Sequence, residues 1–340
     1  MSLPAYLLKG EVNTLLRSAL VELKPSSVFL LCDSNTLKHC QPVLEALRAD
    51  FDWSVIHIEA GEEFKTLSSA NSVWTRLISE KADRNSVLIS LGGGLITDLG
   101  GFAASCYKRG MKSILIPSSL LAMVDASLGS KTGVNLASVK NAIGTFSDPD
   151  FVIVDPVFLN SLPDRQWLNG YAEIVKHSLL ISESELENTV PIRRDSIDER
   201  IVKSLEFKWS VVEKDPTEQG IRKSLNFGHT IGHAIESLSM GALFHGEAIM
   251  HGMAIELRLS ELELGLDKRV RLTIEDTIKA NYPSLPDIEL EDVLSLIQND
   301  KKNTAGRTSF TLLESPGHPQ IDVEVPEDRL RSVLKDYGLQ

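Results

Sequence analysis

The stretch SVLISLGGGLITDLGGF, residues 86–102, joins a short apolar run to three successive glycines and then to a helical pattern. This order predicts a buried strand, a tight turn and a helix that begins at the turn. Glycines let the backbone approach a ligand closely, and the N–H groups at a helix N-terminus can bind a pyrophosphate. Because the spacing is not GxGxxG, two interpretations stay open: a nucleotide-binding turn, or a strand-to-helix turn without a ligand.

Four further apolar runs in the first half have the length of strands and are nearly continuous instead of alternating. They cover residues 27–33, 53–60, 113–119 and 151–156. Continuous apolar strands are typical of parallel sheets that helices cover on both faces, and segments such as 66–81 have helical spacing. We therefore predict a parallel, Rossmann-like α/β nucleotide-binding domain over residues 1–155, with ligands at the carboxyl ends of its strands.

Two strand ends in this half carry groups that can bind a nucleotide. The first clear strand ends in CDSN (32–35), with Asp33 and Asn35, and the second is followed by AGEEFKT (60–66). Carboxylate and amide side chains at these places can hydrogen-bond a ribose or an adenine. Together with the glycine turn, they favour the nucleotide-binding interpretation.

The segment 117–144 combines small residues and glycines with Asp125, Lys131, Lys140 and Asn141. Glycines beside lysines suggest an anion that is held close to the backbone. Solvated lysines on a surface loop are the alternative.

Beyond Pro156 the pattern becomes mostly helical, which predicts a second domain over residues 156–340. Asp164 is a plausible N-cap of its first helix. Further helical patterns and one strand pattern follow. The helices are predicted at 194–213, 224–238, 247–264, 268–280 and 290–299, and the strand at 308–315.

Histidines and a carboxylate in the second half predict a metal site. Glu173 shares a helical face with Lys176, His229 and His233 are spaced four apart in GHTIGH, and His245 precedes another helix. Two histidines and one carboxylate with an open position form a catalytic zinc set. Spacing alone leaves open which histidines bind the metal, and we expect His251 to be structural.

Charge and composition exclude several classes of function. The chain has 340 residues, 42% hydrophobic and 24% charged, with a formal net charge of −12, so we expect no duplex nucleic acid or anionic membrane as partner. No apolar run approaches the roughly 20 residues that span a bilayer. Three cysteines without a CxxC pair, and an N-terminus without signal-peptide features, predict a cytoplasmic protein. Basic residues clustered near glycines and histidines indicate a small polyanionic substrate.

Seven motifs occur in an order that resembles the 3-dehydroquinate synthase family over roughly residues 30 to 315. They are GGGLITDLGGFAAS, VDASLGSKTGVN, KNAIG, LPDRQWLNGYAEIVKH, LNFGHTIGHAIE, HGEA and DKKN. The resemblance implies an N-terminal NAD-binding α/β domain, a mostly helical C-terminal metal-binding domain, and a homodimer. It also implies conversion of the sugar phosphate 3-deoxy-D-arabino-heptulosonate 7-phosphate to 3-dehydroquinate and phosphate, with NAD regenerated each turn and Zn²⁺ or Co²⁺ as Lewis acid.

The resemblance also implies a role for each matching residue. The metal ligands would be Glu173, His229 and His245. The catalytic group would be His233, Lys140, Asn141, Glu218 and Lys176. The substrate would be bound by Asp125, Lys131, Lys176, Lys208, Arg222, Asn226, and Lys301 or Lys302. The cofactor would be bound by Asp33, Asn35, Glu62, Lys65, Gly93, Gly94, Asp98, Ser118 and Ser119, with Lys131 and Lys140 close by.

Three departures from the family pattern leave room for a related sugar-phosphate cyclase. Ser118 and Ser119 replace the usual pair of threonines, Ser130 replaces a glycine, and Ser138-Val139 replaces Leu-Gly. We expect Ser130 to narrow the substrate space and the loop at residues 138–139 to use a different backbone angle.

Two further classes compete with this interpretation. A metal-dependent polyol dehydrogenase of the glycerol type has the same architecture, but its neutral substrate would not need so many basic residues. A catalytically inactive binding domain would not be expected to retain the whole set of charged residues.

Overall fold

The computed structural model describes residues 7–137, 139–299 and 307–340. The chain divides into two compact units, residues 1–167 and 168–340, and the division falls inside a helix, whereas the sequence pattern placed the domain boundary near residue 155. None of the helices in the described ranges combines the length and the apolar run that a membrane crossing needs.

The first unit is built on a six-stranded sheet in which every pairing is parallel. Its strands are β1 (Leu7–Lys9), β2 (Val28–Asp33), β3 (Ser54–Ile58), β4 (Val87–Gly92), β5 (Lys112–Pro117) and β8 (Phe151–Val154). Every residue of β2, β4 and β8 is buried, as continuous apolar runs predict for a covered parallel sheet. The predicted α/β fold class is confirmed.

Strand order in this sheet places the predicted ligand-binding turns next to each other. The order is β1-β8-β5-β4-β2-β3, so the chain adds β3 on one side of β2 and β4 on the other. Ligands of open parallel sheets bind at such a reversal, outside the carboxyl ends of the strands. The carboxyl ends of β2 and β4 carry Asp33 and the glycine turn, respectively.

Four helices follow from the local sequence of this unit. They are α1 (Val12–Leu23), α2 (Ser34–His39), α3 (Leu67–Ser79) and α4 (Gly94–Cys106). Thr66 caps α3 by accepting the Ser69 N–H at 3.2 Å, and the buried residues Ala70, Val73 and Leu77 lie on one face of that helix. Packing of α3 and α4 against the sheet forms one apolar core.

The segment 117–144 contains a two-stranded ribbon that the sequence pattern did not predict. Strands β6 (Lys131–Leu136) and β7 (Val139–Phe146) pair antiparallel, and Gly133 lies opposite Gly144. A Cβ atom at Gly144 would lie 2.0 Å from the Thr132 carbonyl oxygen. This glycine is therefore required by close strand pairing, whether or not an anion binds nearby. The pattern was missed because no residue of β7 is buried.

The second unit is mostly helical, as predicted. Its helices are α5 (Asp164–Ile181), which starts in the first unit, α6 (Glu183–Thr189), α7 (Ile197–Lys214), α8 (His229–Leu238), α9 (His245–Leu264), α10 (Lys268–Asn281), α11 (Leu290–Asn299) and α12 (Glu327–Tyr337). Strands β9 (Arg307–Ser315) and β10 (His318–Pro326) pair antiparallel. Asp164 is the first residue of α5 and not its N-cap. Helix α9 lies in the interior, packed against α8, α10, α12 and β9.

The predicted helix at 224–238 is two elements instead of one. Residues Ile221–Asn226 form a 3₁₀ turn, and α8 begins only at His229. Between them Gly228 has φ +78°, a left-handed conformation that an α-helix cannot contain. This break at Gly228 places His229 in the first turn of a helix.

Helices α8 and α9 approach each other through glycines. A Cβ atom on Gly252 would lie 2.1 Å from the Gly228 carbonyl oxygen and 2.7 Å from the Gly232 nitrogen. The absence of side chains at these positions brings the two backbones into contact, so even a methyl group requires a shift.

We predict that Gly252→Ala lowers the free energy of unfolding by about 1–3 kcal/mol, because the added methyl separates α8 from α9. Chemical denaturation measures the loss. Leu262→Ala, on the exposed side of the same helix, is the control and should change stability by less than about 0.5 kcal/mol. Equal stabilities for Gly252→Ala and the wild type would contradict the close helix contact.

His251 has the structural role that the sequence suggested. Its Nε2 lies 3.0 Å from the Pro283 carbonyl oxygen and its Nδ1 lies 2.7 Å from the Tyr337 hydroxyl. A carbonyl can only accept, so Nε2 carries the proton and Nδ1 accepts from Tyr337. Burial lowers the pKa of His251 from its ordinary 6.5, which keeps this neutral form.

We predict that His251 makes the fold acid-sensitive. Because its folded pKa is depressed, the stabilisation is complete above the unfolded value of 6.5 and is lost as the pH falls through the lower folded pKa. The difference in unfolding free energy between wild type and His251→Gln should therefore shrink as the pH is lowered from 7.5. Denaturant unfolding at several pH values measures it, with the exposed His39→Gln as control. A difference that does not vary with pH would contradict this.

Candidate active site

Glu173 is a carboxylate with no exposure to solvent, in the middle of α5. The equally buried Lys176, one turn further along, forms an ion pair with its Oε2. Within the described residues, Oε1 has no hydrogen-bond donor. Since a buried carboxylate oxygen without a donor is costly, Oε1 marks a place where a positive group is expected.

Two imidazoles face the oxygen of Glu173 that lacks a donor. His229 Nε2 lies 3.7 Å from Oε1, and His245 Nε2 lies 4.0 Å from it. Both residues are the first of their helices, α8 and α9. These distances are too long for hydrogen bonds.

The other ring nitrogens determine the tautomers. His229 Nδ1 lies 3.0 Å from the Phe227 carbonyl oxygen, and His245 Nδ1 lies 3.0 Å from Glu236 Oε2. Both partners accept, so each Nδ1 donates a proton and each Nε2 presents a lone pair toward Glu173. Carboxylate or carbonyl partners on the far nitrogen are typical of histidines that bind a metal.

The three electron-pair donors fit a divalent cation. Around a tetrahedral ion with bonds of about 2.1 Å, neighbouring ligand atoms lie about 3.4 Å apart, close to the separations from Oε1 seen here. Burial, with a contribution from Lys176, lowers the pKa of His229 well below 6.5 and keeps it in the neutral, ligating form. We conclude that Glu173, His229 and His245 can hold a metal.

His233 lies one turn from His229 on the same face of α8, as the spacing predicted. The ring centroids are 5.1 Å apart, and the ring of His233 is 5.6 Å from that of His245. Ligand atoms of the three histidines lie within 4.8 Å of one another, so distance alone does not separate their roles. His233 differs in being exposed, and its assignment as a site residue instead of a ligand stays a prediction.

Two further residues, which the sequence motifs did not single out, support the histidines. Glu236 accepts from His245, and Asn169 on α5 accepts the Gly246 N–H at 2.6 Å, which ties the start of α9 to the helix of Glu173. Glu236 falls in the quoted motif GHTIGHAIE, three residues after His233, which was the available signal. Asn169 had no spacing signal at all.

Basic side chains that were predicted to bind the substrate are buried in the second unit. Lys176, Lys208 on α7 and Arg222 are each less than a tenth exposed. The Asp215 carboxylate accepts the N–H groups of Gly220 and Arg222 at 2.7 and 3.0 Å, and so shapes the loop that carries Arg222. Lys176 pairs with Glu173, and buried cations such as these three are suited to binding a polyanion.

Glu218 and Asn226, which were predicted independently, are in contact. Asn226 Nδ2 donates to Glu218 Oε1 at 2.7 Å. Glu218 has φ +60°, a strained conformation for a residue with a Cβ. Lys301 and Lys302 lie outside the described residues.

In the first unit, the glycine turn lies against the next strand end. Gly93 precedes the first residue of α4, and a Cβ there would lie 3.3 Å from Ser119 Oγ. The Ser118 N–H donates to the Gly92 carbonyl at 2.9 Å. At the end of β2, Asp33 Oδ1 accepts the N–H groups of Asn35 and Thr36 and caps α2, so one of its carboxylate oxygens has a structural role.

Lys65 forms one hydrogen-bonded group with two other predicted residues. Its Nζ donates to Asp98 Oδ2 at 2.5 Å and to Asn141 Oδ1 at 2.6 Å. Burial raises the pKa of Asp98 to about 6, although the nearby Lys65 opposes this shift. Lys65 lies in the loop between β3 and α3, Asp98 on α4 and Asn141 on β7, so the spacing in the sequence could not predict that the three side chains meet.

Asn135 completes this group and was not predicted. Its Nδ2 donates to Glu62 Oε1 at 2.9 Å, and its Oδ1 accepts the Asn141 N–H at 2.8 Å. Asn141 has φ +52°, so this hydrogen bond holds a left-handed backbone. The quoted motif KTGVN contains Asn135, but its partner Glu62 is 73 positions away in sequence. Lys131 lies on β6 and Lys140 on β7, and both are exposed, whereas Asp125 lies in the helical turn Ala122–Ala126 before the ribbon.

The departure at Ser130 has a structural explanation. The residue has φ +65°, the region that favours the usual glycine. Its hydroxyl donates to Asp148, and its carbonyl oxygen accepts the Ser147 N–H at 2.8 Å. The added hydroxymethyl therefore points to Asp148. Ser138 lies outside the described residues.

Two family models match consecutive parts of the chain. The 3-dehydroquinate synthase N-terminal model covers residues 55–169, and the C-terminal model covers residues 170–303. The 3-dehydroquinate synthase of Parabacteroides distasonis is 40% identical over 343 residues, which span 97% of this chain and 95% of the relative.

Solved structures with the same fold include both classes considered above. A 2-deoxy-scyllo-inosose synthase complexed with carbaglucose-6-phosphate, NAD⁺ and Co²⁺ has a TM-score of 0.87 at 25% identity and covers 97% of this chain and 96% of that chain. Glycerol dehydrogenase from Schizosaccharomyces pombe has a TM-score of 0.65 at 14% identity, covering 99% and 89%, which is a likeness of fold alone.

The histidine cluster yields a prediction about metal affinity. We expect His229→Ala to weaken Co²⁺ or Zn²⁺ binding by more than the roughly 10–100-fold that changes outside the ligand set cost, because a lone pair facing Glu173 is lost. His233→Ala should keep the metal within a few-fold of the wild-type affinity. Titration of the metal-free protein measures both, with His39→Ala as the surface control. Equal losses in the two variants would contradict the division of roles.

Proposed function

Since the chain belongs to the 3-dehydroquinate synthase family, we propose that it converts 3-deoxy-D-arabino-heptulosonate 7-phosphate to 3-dehydroquinate and phosphate. The observation that carries this proposal is the Glu173 oxygen that faces two imidazole lone pairs, with the buried Lys176 paired to the other oxygen of the same carboxylate. This arrangement suits a substrate that carries hydroxyls, a carboxylate and a phosphate.

The metal would be held by Glu173, His229 and His245. Bound there, Zn²⁺ or Co²⁺ would supply a Lewis acid that polarises oxygens of the substrate. The related 2-deoxy-scyllo-inosose synthase was solved with Co²⁺, which supports this assignment. The Phe227 carbonyl and Glu236 hold the two rings in the ligating tautomer, and Lys176 forms an ion pair with Glu173.

NAD would bind at the carboxyl ends of β2, β4 and β5, where the strand order reverses. Bound there, NAD⁺ would supply reversible hydride transfer with the substrate. The backbone at Gly93 and Gly94, at the start of α4, offers N–H groups to the pyrophosphate. Asp33 ends β2 and Asn35 follows it, and both would hydrogen-bond the ribose. The hydroxyls of Ser118 and Ser119 follow the end of β5. The group formed by Glu62, Lys65 and Asp98 completes the proposed cofactor set.

The substrate's negative groups would be bound by basic side chains whose desolvation strengthens each contact. We assign this to Lys176, Lys208 and Arg222, with Asn226 as a hydrogen-bond donor. Asp125, Lys131, Lys140 and Asn141 from the first unit, and Lys301 or Lys302 from the second, are assigned by motif alone.

Proton transfer is assigned to His233 and Glu218. His233 is an exposed imidazole beside the ligand His229, so it can reach a substrate oxygen and exchange its proton with solvent. Glu218 is fixed by Asn226 and can orient a hydroxyl.

We further propose a homodimer, as the family resemblance implies, and a cytoplasmic location. Three free cysteines, two of them buried, are consistent with a reducing compartment.

Another sugar-phosphate cyclase is the second candidate, favoured by the fold of 2-deoxy-scyllo-inosose synthase at 25% identity and by the serine at position 130. A glycerol-type dehydrogenase shares only the fold, and the buried basic side chains do not suit its neutral substrate.

Phosphate release from the heptulosonate phosphate tests the proposal. We expect release only with both NAD⁺ and Zn²⁺ or Co²⁺ present and without accumulation of NADH, because the hydride is returned. Glucose 6-phosphate as the alternative substrate distinguishes another cyclase, and NADH formed from glycerol distinguishes a dehydrogenase. No phosphate release from the heptulosonate phosphate under any of these conditions would overturn the proposal.

A further inference from the structure

The helix that carries His229 and His233 has no cap of its own. Its N-cap residue, Gly228, has no side chain, although the first N–H groups of any α-helix need acceptors from outside the helix. Glu256, on α9 and without solvent exposure, supplies them. Its Oε2 accepts the Gly228 N–H at 2.5 Å, and its Oε1 faces the Ile231 N–H at 3.5 Å.

Sterics explain why the cap comes from another helix. A Cβ atom at Gly228 would lie 2.4 Å from Met253 Cγ and 3.2 Å from the Ile249 carbonyl oxygen. The usual capping residues Ser, Thr, Asp and Asn are therefore excluded from the N-cap position. Close approach of α9 removes the local cap, and α9 itself provides the replacement.

A buried glutamate is a costly way to fill this place. Burial raises the pKa of Glu256 to about 8, against three backbone hydrogen bonds, from Gly228, Ile231 and Thr230, that lower it. An apolar residue would avoid this cost but would leave N–H groups unsatisfied. The oxygens of the carboxyl group accept hydrogen bonds from the N–H groups at the N-terminus of α8, where a negative or electron-rich group is stabilising.

Glu256 also lies on the helix that begins with the second imidazole. His245 is the first residue of α9, and Glu256 follows eleven positions later, about 16 Å along the helix axis. One helix therefore carries His245 and, through Glu256, also hydrogen-bonds the turn that precedes His229. The separation of the two Nε2 atoms from Glu173, 3.7 and 4.0 Å, depends on how α8 sits along α9.

We propose that Glu256 is a positioning residue of the metal site, which fixes the first turn of α8 to α9 and so sets the geometry of His229 relative to His245. This inference rests on the proposed metal site of Glu173, His229 and His245. Glu256 itself binds neither metal nor substrate. Its effect is transmitted through the backbone of residues 228–231.

The test compares Glu256→Ala and Glu256→Gln with Ser260→Ala. Ser260 is the matched control, because it is buried one turn further along α9 and its hydroxyl bonds the Glu256 carbonyl oxygen and the Leu313 N–H of β9, at 2.7 and 3.0 Å, instead of the start of α8. For each metal-free protein we would measure thermal unfolding, Co²⁺ affinity by titration, and the visible absorption of bound Co²⁺, which reports ligand geometry.

We expect Glu256→Ala to weaken Co²⁺ binding about tenfold or more and to change the visible absorption. Glu256→Gln, which keeps one acceptor oxygen and the side-chain volume, should have an intermediate affinity. Ser260→Ala should keep the wild-type affinity and spectrum at temperatures where it is folded, even if its unfolding temperature falls. A loss common to all three variants would indicate general destabilisation and overturn the proposal.

Wild-type affinity and spectrum in folded Glu256→Ala would overturn the inference, and Glu256→Gln decides by the same criterion if the alanine variant does not fold. A wild-type protein that binds no Co²⁺ overturns the metal site and the inference together. If the wild type binds Co²⁺ but releases no phosphate, the proposed reaction fails, and the affinities and spectra still support or overturn the role of Glu256.

Discussion

The convergence of three electron-pair donors on one point is the constraint on which the second unit depends. His229 Nε2 and His245 Nε2 each face Glu173 Oε1 at a distance that is too long for a hydrogen bond and suited to a shared cation. Such an arrangement is repulsive without a positive charge, so the fold must hold it in place. Lys176, the Phe227 carbonyl, Glu236 and Asn169 all act on this cluster, from α5, the turn before α8, α8 and α5, respectively.

The backbone contact between α8 and α9 fixes the positions of the helices that carry His229 and His245. Gly228, Gly232 and Gly252 allow the helices to touch, and this contact excludes a side-chain cap at the start of α8. A buried glutamate on α9 then serves as the cap. Tight packing and polar satisfaction are thus coupled, since the close approach that positions the histidines also creates the need for Glu256.

The first unit solves a different problem, which is to present backbone N–H groups and polar side chains at one edge of a parallel sheet. Five of its six strands were predicted from apolar runs, and the ends of β2 and β4 carry Asp33 and the glycine turn. The three-residue β1 was not predicted. The ribbon of β6 and β7 was not predictable in the same way. Its outer strand buries no residue, so its pattern resembles a polar loop, and only pairing with β6 defines it.

The site shows the same division between local and distant information. The pair His229 and His233 could be predicted to share a face, because a helix fixes the direction of residues four apart. The grouping of Lys65 with Asp98 and Asn141, and the bond from Asn135 to Glu62, could not be predicted, since hydrogen bonds between residues 33 to 76 positions apart leave no periodic trace. Glu256 gave no signal either, because a carboxylate inside an apolar helix has no partner in its own neighbourhood.

By itself, the sequence determined the family, the parallel α/β fold of the first unit and the helical character of the second, because these follow from ordered motifs and from hydrophobic periodicity along the chain. Only the tertiary structure decided where α8 begins, which nitrogen of each histidine faces Glu173, and which groups support the cluster. The physical reason is that tautomers, caps and close helix contacts depend on atoms from distant segments. Periodicity records which side of an element is buried, but not which atoms lie against it.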